Sequence, residues 1–344
     1  MNRKIHTANE IHHTRRGGRG VVEGGGPWAA QGWGHPTSIV GIETNTTMGG
    51  PKAPSTLNRH PRPYTLRRPL ERVSLGIFTY LNIQPVYYGL LHEQQHEDIN
   101  LVTGVPTRLN AALLSGEVDL SCVSGFAFAE HCSEFRLIPH LSISAPGAVE
   151  SVLLFSRYDN WHDLHGKKVA VTNHSASAVN LLRVLCKHRY HIKPHFVTMP
   201  SDLDAMFATC DAALVIGDTA LLEGNLRREI AGVGTPTIFD MGQEWAEWTG
   251  LPFVFGVWAA RADRAEALGH SDVLEQLYRS KVGGLAHIDE IGQEQAPRLG
   301  LSPQVCAHYL RQMTYDLSES DQQGWRLFLE LSLPNFQWNK LRWL

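Results

Sequence analysis

The chain has 344 residues, 43% of them hydrophobic and 19% charged, a balance that suits a globular core divided over two domains and excludes a fibre. No run approaches the roughly 18 consecutive apolar residues of a membrane-spanning helix, and the basic N-terminus lacks the apolar stretch of a signal peptide, so a cytoplasmic protein with no membrane partner is expected. The net charge of −3 hides an asymmetry: residues 1–70 carry ten Lys/Arg against three Asp/Glu.

That leading segment is rich in Gly, Pro and His (RRGGRG, EGGGPW, RHPRPY) and has no sustained apolar period. It reads as a disordered basic tail, 1–70. It lacks interleaved aromatics and a helix-turn-helix pattern, so no nucleic-acid partner is expected. Cys122, Cys132, Cys186, Cys210 and Cys306 are scattered, without CxxC spacing, which argues against a disulfide framework or a zinc ribbon and fits a reducing compartment.

From Val73 the pattern changes. VSLGIFTY reads as a strand, PVYYGLLHEQ as a helix with Pro85 in its first turn, and INLVTGV as a second strand. PTRLNAALLSGEV places Leu109, Leu113 and Leu114 at helical spacing with Gly116 near the end, and VDLSCVS is a third strand. The middle repeats the alternation: KKVAVTN, SASAVNLLRVLCKHR, HFVTMP, SDLDAMFAT and DAALVIG read as strand, helix, strand, helix and strand. GEVDLSCVSGFAFAEH and ATCDAALVIGDTALLE share an Asp that opens an apolar strand, then a small polar turn, then a small-residue helix. Two similar lobes are expected: residues 71–155 with 256–344 as lobe one, and 156–255 as lobe two. The extended runs SVLLFSR and LPFVFGVWAAR should carry the crossings, and helices should fill the C-terminal part (VLEQLYRSKV, PQVCAHYLRQM, GWRLFLELS). In such open α/β sheets a ligand sits beyond the carboxyl ends of the strands, so the interlobe cleft is the place to look.

His92-Glu93-Gln94-Gln95-His96 matches the H-E-x-x-H zinc pattern, but His96 falls at the turn before the next strand and no third ligand follows, so no metal is expected. Asp218, after Gly217 at a strand end, suits helix capping or acid–base work. Asn173 to Ser177 end a strand and open a helix, where backbone N–H groups, the helix dipole and the hydroxyls of Ser175 and Ser177 favour an anion. Ser124 holds the corresponding place in lobe one, and Ser142, Ser144 and Ser151 follow without a base, an acid partner or a G-x-S-x-G elbow. The cleft is thus lined with neutral donors, which suits holding an anionic ligand better than hydrolysing one. Asn82, in YLNIQP, is either a turn or N-cap residue or a group facing the cleft, where its amide can both donate and accept.

Taken in order, YLNIQPVYYGL, GVPTRLNAALLSGEVDLSCVS, LSISAPGAVESVLLFS, VTNHSASAVNLL, DAALVIGDTAL and QEWAEWTGLPFVFGVWAAR resemble the chorismate dehydratases of futalosine-pathway menaquinone biosynthesis, over about residues 72–262. The resemblance implies a periplasmic-binding-protein-like type II fold, two α/β lobes around a cleft with two crossing strands, used as an enzyme. It implies a lyase that removes water from chorismate to give 3-[(1-carboxyvinyl)oxy]benzoate, a reaction that requires no cofactor and no metal; the sequence leaves monomer or homodimer open. It places catalytic roles on Asn82 and Ser151, and leaves Ser124, Ser175, Ala176, Ser177 and Asp218 as substrate-binding positions. SCVSG departs from the two adjacent serines expected there, with Gly125 in the second place. A non-enzymatic solute-binding protein for a small carboxylate is the alternative. The sister 1,4-dihydroxy-6-naphthoate synthase is a further one, although a Ser-Pro-Cys-Pro-Asn start would be expected in place of YLNIQP.

Overall fold

A computed structural model describes residues 72–92, 98–173 and 175–344; the basic tail and Glu93 to His96 of the H-E-x-x-H match lie outside them. The first sheet contains β1 (Val73–Ile77), β2 (Ile99–Thr103), β3 (Leu120–Ser124) and β4 (Phe135–Ala145). The second contains β5 (Val152–Ser156), β6 (Lys168–Thr172), β7 (His195–Met199), β8 (Ala212–Ile216) and β9 (Thr237–Asp240), after which β10 (Phe253–Arg261) returns to the first. The orders are β2-β1-β3-β10-β4 and β7-β6-β8-β5-β9, each with a parallel core and antiparallel pairing where the returning strand enters. This is the two-lobed α/β plan expected from the alternation of strands and helices.

The helices are α1 (Gln84–His92), α2 (Pro106–Ser115), α3 (Gly125–Glu130), α4 (Ala176–Val184), α5 (Leu203–Phe207), α6 (Gly217–Leu226) and α7 (Met241–Thr249), then α8 (Ala265–Gly269), α9 (Val273–Ala286), α10 (Ile288–Leu299), α11 (Pro303–Gln312) and α12 (Glu319–Ser332). Their ends follow local chemistry. Pro106 starts α2 and left-handed Gly116 stops it, while Ser318 and Asp321 form a reciprocal capping box on α12.

The internal repeat is visible in the hydrogen bonds. Asp119 accepts from the Ser74 N–H and Asp211 from the Lys168 N–H, so each Asp pins the start of its lobe's central parallel strand. The returning strands match as well: Arg261 N–H donates to the Asp119 carbonyl and Arg157 N–H to the Asp211 carbonyl.

Two features differ from the sequence reading. The runs expected to cross between lobes each belong to one sheet: β5 lies wholly in the second and β10 wholly in the first, so the chain changes sheet at 146–151 and 250–252. The 11-residue β4 also escapes the alternation pattern, because Pro139 and left-handed His140 (φ 57°) interrupt it. Ser142 and Ser144 of this strand serve structure. Their backbones pair with Tyr315 and Thr314, the Ser142 hydroxyl donates to the Asp316 carbonyl at 2.7 Å, and the chain after α11 is thereby fastened to the sheet.

Candidate active site

A cavity of about 510 Å³ lies between the lobes at the carboxyl ends of the strands. Phe78, Tyr80, Phe126 and Phe255 supply flat apolar walls, and Val149 and Met313 help close it. Asn82, Ser124, Ser151, Ser175 and Ala176 all line it, so the structure brings together five of the seven positions singled out in the sequence. Ser177 and Asp218 are not among the lining residues.

The reason lies in what those two do. The Ser177 hydroxyl, fully buried, accepts the Phe126 N–H at 3.1 Å, joining the first turn of α4 in lobe two to the first turn of α3 in lobe one. Asp218, at the start of α6, accepts the Leu81 N–H through Oδ1 at 2.9 Å and the Arg298 guanidinium through Oδ2 at 2.8 Å. It therefore caps a turn in the other lobe. Gly217 takes a left-handed φ of 64°, and a Cβ there would meet the Tyr80 ring at 3.3 Å, so the Tyr80 ring packs directly on this strand end.

The borrowed cap changes the meaning of Asn82. It sits inside the 3₁₀ turn Leu81–Ile83, whose N-cap residue Tyr80 makes no side-chain capping bond. Asp218 performs that task, and Asn82 Oδ1 is left buried without a hydrogen-bond partner at the cavity wall. A buried carbonyl oxygen left unpaired costs free energy unless something supplies a donor. A substrate hydroxyl can be that donor.

The serines show the opposite polarity. Ser124 Oγ accepts the Ala127 N–H at 3.1 Å, and Ser175 Oγ accepts the Ala178 N–H at 3.3 Å, each as an N-cap. Ser151 Oγ, 2% exposed, accepts the Tyr309 phenol O–H at 2.8 Å. A hydroxyl that already accepts still carries one hydrogen to donate, so these three serines offer O–H donors to the cavity. Arg183 adds a cation at its edge, held by Asn180 Oδ1 at 3.3 Å and lying over the Phe196 ring. Donors, the Arg183 cation and the N-termini of α2 and α4, set against the one lining carboxylate Glu130, favour a carboxylate ligand with a planar apolar body.

Arg183, Asn110 and Tyr309 were not found from the sequence. Arg183 and Asn110 stand within amphipathic helices whose polar positions all read as solvent-facing, and Tyr309 is a core residue by pattern. Asn110 Oδ1 is a second buried, unpartnered acceptor on the cavity wall, a feature that only side-chain packing reveals. Gly125 is explained by α12: a Cβ there would lie 2.8 Å from Trp325 Nε1, which instead donates to the Gly125 carbonyl at 3.2 Å. The serine expected at this place is excluded by the indole.

Residues 73–332 match the family model described as menaquinone biosynthesis. The chain belongs to the menaquinone biosynthesis family. A chorismate dehydratase from Thermus thermophilus is 34% identical over 270 residues, covering 76% of this chain and 95% of the relative. Among solved structures, a protein from Archaeoglobus fulgidus aligns with a TM-score of 0.63 at 18% identity, over 77% of this chain and 97% of that one. The periplasmic aliphatic sulphonate binding protein of Escherichia coli aligns with a TM-score of 0.56 at 20% identity, over 80% of this chain and 92% of that one. These two likenesses concern the fold, which this menaquinone biosynthesis protein shares with periplasmic binding proteins.

Proposed function

We propose that this protein is a chorismate dehydratase, a carbon–oxygen lyase that eliminates water from chorismate to give 3-[(1-carboxyvinyl)oxy]benzoate. The observation that carries the reading is the pairing of an unpartnered buried acceptor, Asn82 Oδ1, with the donor-bearing Ser151 in one aromatic-walled cavity. The kinship with the Thermus thermophilus chorismate dehydratase supports it.

The chemistry asks little of the protein beyond placement. The ring carbon that bears the enolpyruvyl ether loses its proton, and the neighbouring carbon loses hydroxide. The C–H electron pair becomes the new ring double bond, and the product is aromatic. The phenyl rings of Phe78, Phe126 and Phe255 suit a flattening ring, and Asn82 accepts from the departing hydroxyl and so orients it. Ser151 donates a hydrogen bond at the reacting edge as charge develops on oxygen. Ser124, Ser175 and Arg183 hold carboxylates. The substrate's own enolpyruvyl carboxylate takes the ring proton, and proton and hydroxide leave as water. Ser177 and Asp218 hold the lobes together around the ligand, which keeps bulk water out.

The test is incubation of purified protein with chorismate, without added metal or nucleotide, with products separated by chromatography and identified by mass. The expected product is lighter than chorismate by one water. Unchanged chorismate, or prephenate alone, would sink the proposal; saturable binding of chorismate without turnover would favour a solute-binding role.

A further inference from the structure

Ser151 is a small hydroxyl on the segment that links the lobes, and by itself it can donate or accept and can turn between rotamers. Here its neighbours remove that freedom. Its N–H donates to the Val149 carbonyl at 2.6 Å, its own carbonyl accepts the Gly217 N–H at 2.7 Å, and its Oγ accepts the Tyr309 O–H at 2.8 Å. Tyr309 comes from α11, 158 residues further along the chain. It is 1% exposed and does not line the cavity, so it reaches the site only through Ser151. The helix that carries it is capped by Ser302, and the residues after it are bonded to β4, so the phenol has little room to move.

The direction of the bond matters. The geometry has the Tyr309 O–H donating to Ser151 Oγ, and burial, which pushes the phenol above its ordinary value, keeps that proton in place. With one lone pair of Ser151 occupied, the remaining hydrogen of that serine is free to donate into the cavity that Ser151 lines. We propose that Tyr309 is a positioning residue: it holds Ser151 in the orientation and donor state that assist loss of the substrate hydroxyl, without itself touching substrate. The inference rests on the dehydratase reading and adds a residue to it.

The experiment compares wild type, Tyr309→Phe, Ser151→Ala and the double variant by kcat and KM for chorismate, with thermal unfolding to check the fold. Tyr309→Phe frees Ser151, whose own bond to the substrate is the one made in the transition state, so a kcat about tenfold lower is predicted, with KM within about twofold. The double variant is expected to turn over no more slowly than Ser151→Ala, because both changes break the same chain of contacts. A wild-type kcat in Tyr309→Phe, losses that multiply in the double variant, or a Ser151→Ala enzyme faster than Tyr309→Phe overturns the proposal. Incorporating 3-fluorotyrosine at position 309 provides a second variant that keeps the side-chain volume and the hydroxyl but alters donor strength; it is expected to move kcat and not KM, and an unmoved kcat overturns the proposal even if Tyr309→Phe does not fold. Wild-type protein that leaves chorismate unchanged fails in the first arm and removes the dehydratase reading itself, an outcome distinct from any failure of Tyr309.

Discussion

Asn82 and Ser151 make a pair with opposite expected signatures. Asn82 Oδ1 has no partner within the protein, so Asn82→Ala removes a buried, unsatisfied oxygen and should leave the unfolding temperature nearly unchanged or raise it. Its kcat on chorismate should fall by roughly 10²–10³, the range seen when one oriented hydrogen-bonding group is removed from a reacting site. Ser151→Ala should lose turnover as well, but it also strands the Tyr309 phenol in the core, at a cost of about 1–3 kcal/mol in denaturant unfolding. An Asn82→Ala protein that is markedly destabilised yet fully active would contradict both the geometry and the role assigned to it. Asn82 could be singled out in the sequence because a polar amide after an apolar strand is locally conspicuous. Its freedom from capping could not, since the cap that replaces it, Asp218, is 137 residues from the Leu81 N–H it accepts.

At the scale of elements, the strand end at 216–218 is a joint between lobes. Gly217→Ala places a side chain on a φ of 64° and brings its Cβ to 3.3 Å from Tyr80, so a loss of roughly 1–2 kcal/mol is expected, read by chemical denaturation. Asp218→Ala removes the cap on the 3₁₀ turn and a partner of Arg298, with about 0.5–2 kcal/mol expected from the cap. Because that turn carries Asn82, the Asp218 variant should also raise KM for chorismate, whereas a surface change such as Arg326→Ala, which breaks only an exposed pair with Glu330, should leave KM unchanged. Equal KM values for the two would show that the cap does not govern the site. Elements with strong local signals matched the reading: Pro106 and Gly116 bound α2, and Ser175 starts α4. β4 did not, because Pro139 and left-handed His140 interrupt its alternation, and its register with β10 shifts across them.

Across the whole molecule, Tyr87, Tyr309 and Tyr315 have their phenols pushed up from the ordinary value of 10.0, in each case chiefly by burial. These groups bind protons more tightly folded than unfolded, so the stability they contribute is complete below pH 10.0 and is lost as pH rises beyond it. Alkaline titration should therefore show part of the phenolate absorbance appearing together with loss of circular dichroism, in one cooperative step above that pH. Full ionisation of every tyrosine while the fold persists would contradict the burial of these three. Among the described residues no helix is long and apolar enough to cross a membrane.

The alternation of apolar strands and small-residue helices was enough to establish two α/β lobes, because hydrophobic period and turn chemistry act over a few residues. The doubled Asp motif already signalled that the lobes resemble each other, and Asp119 and Asp211 indeed hold equivalent backbone N–H groups. The residues that end strands were legible for the same local reason, so Asn82, Ser124, Ser151, Ser175 and Ala176 could be placed at a cleft. Which of them face a ligand was decided by partners distant in sequence. Phe126 engages Ser177 across 51 residues, Leu81 engages Asp218 across 137, and Tyr309 engages Ser151 across 158. A hydroxyl or carboxylate has the same local propensities whether it clasps two lobes or faces a cavity; the difference lies in which donor packing brings within about 3 Å of it.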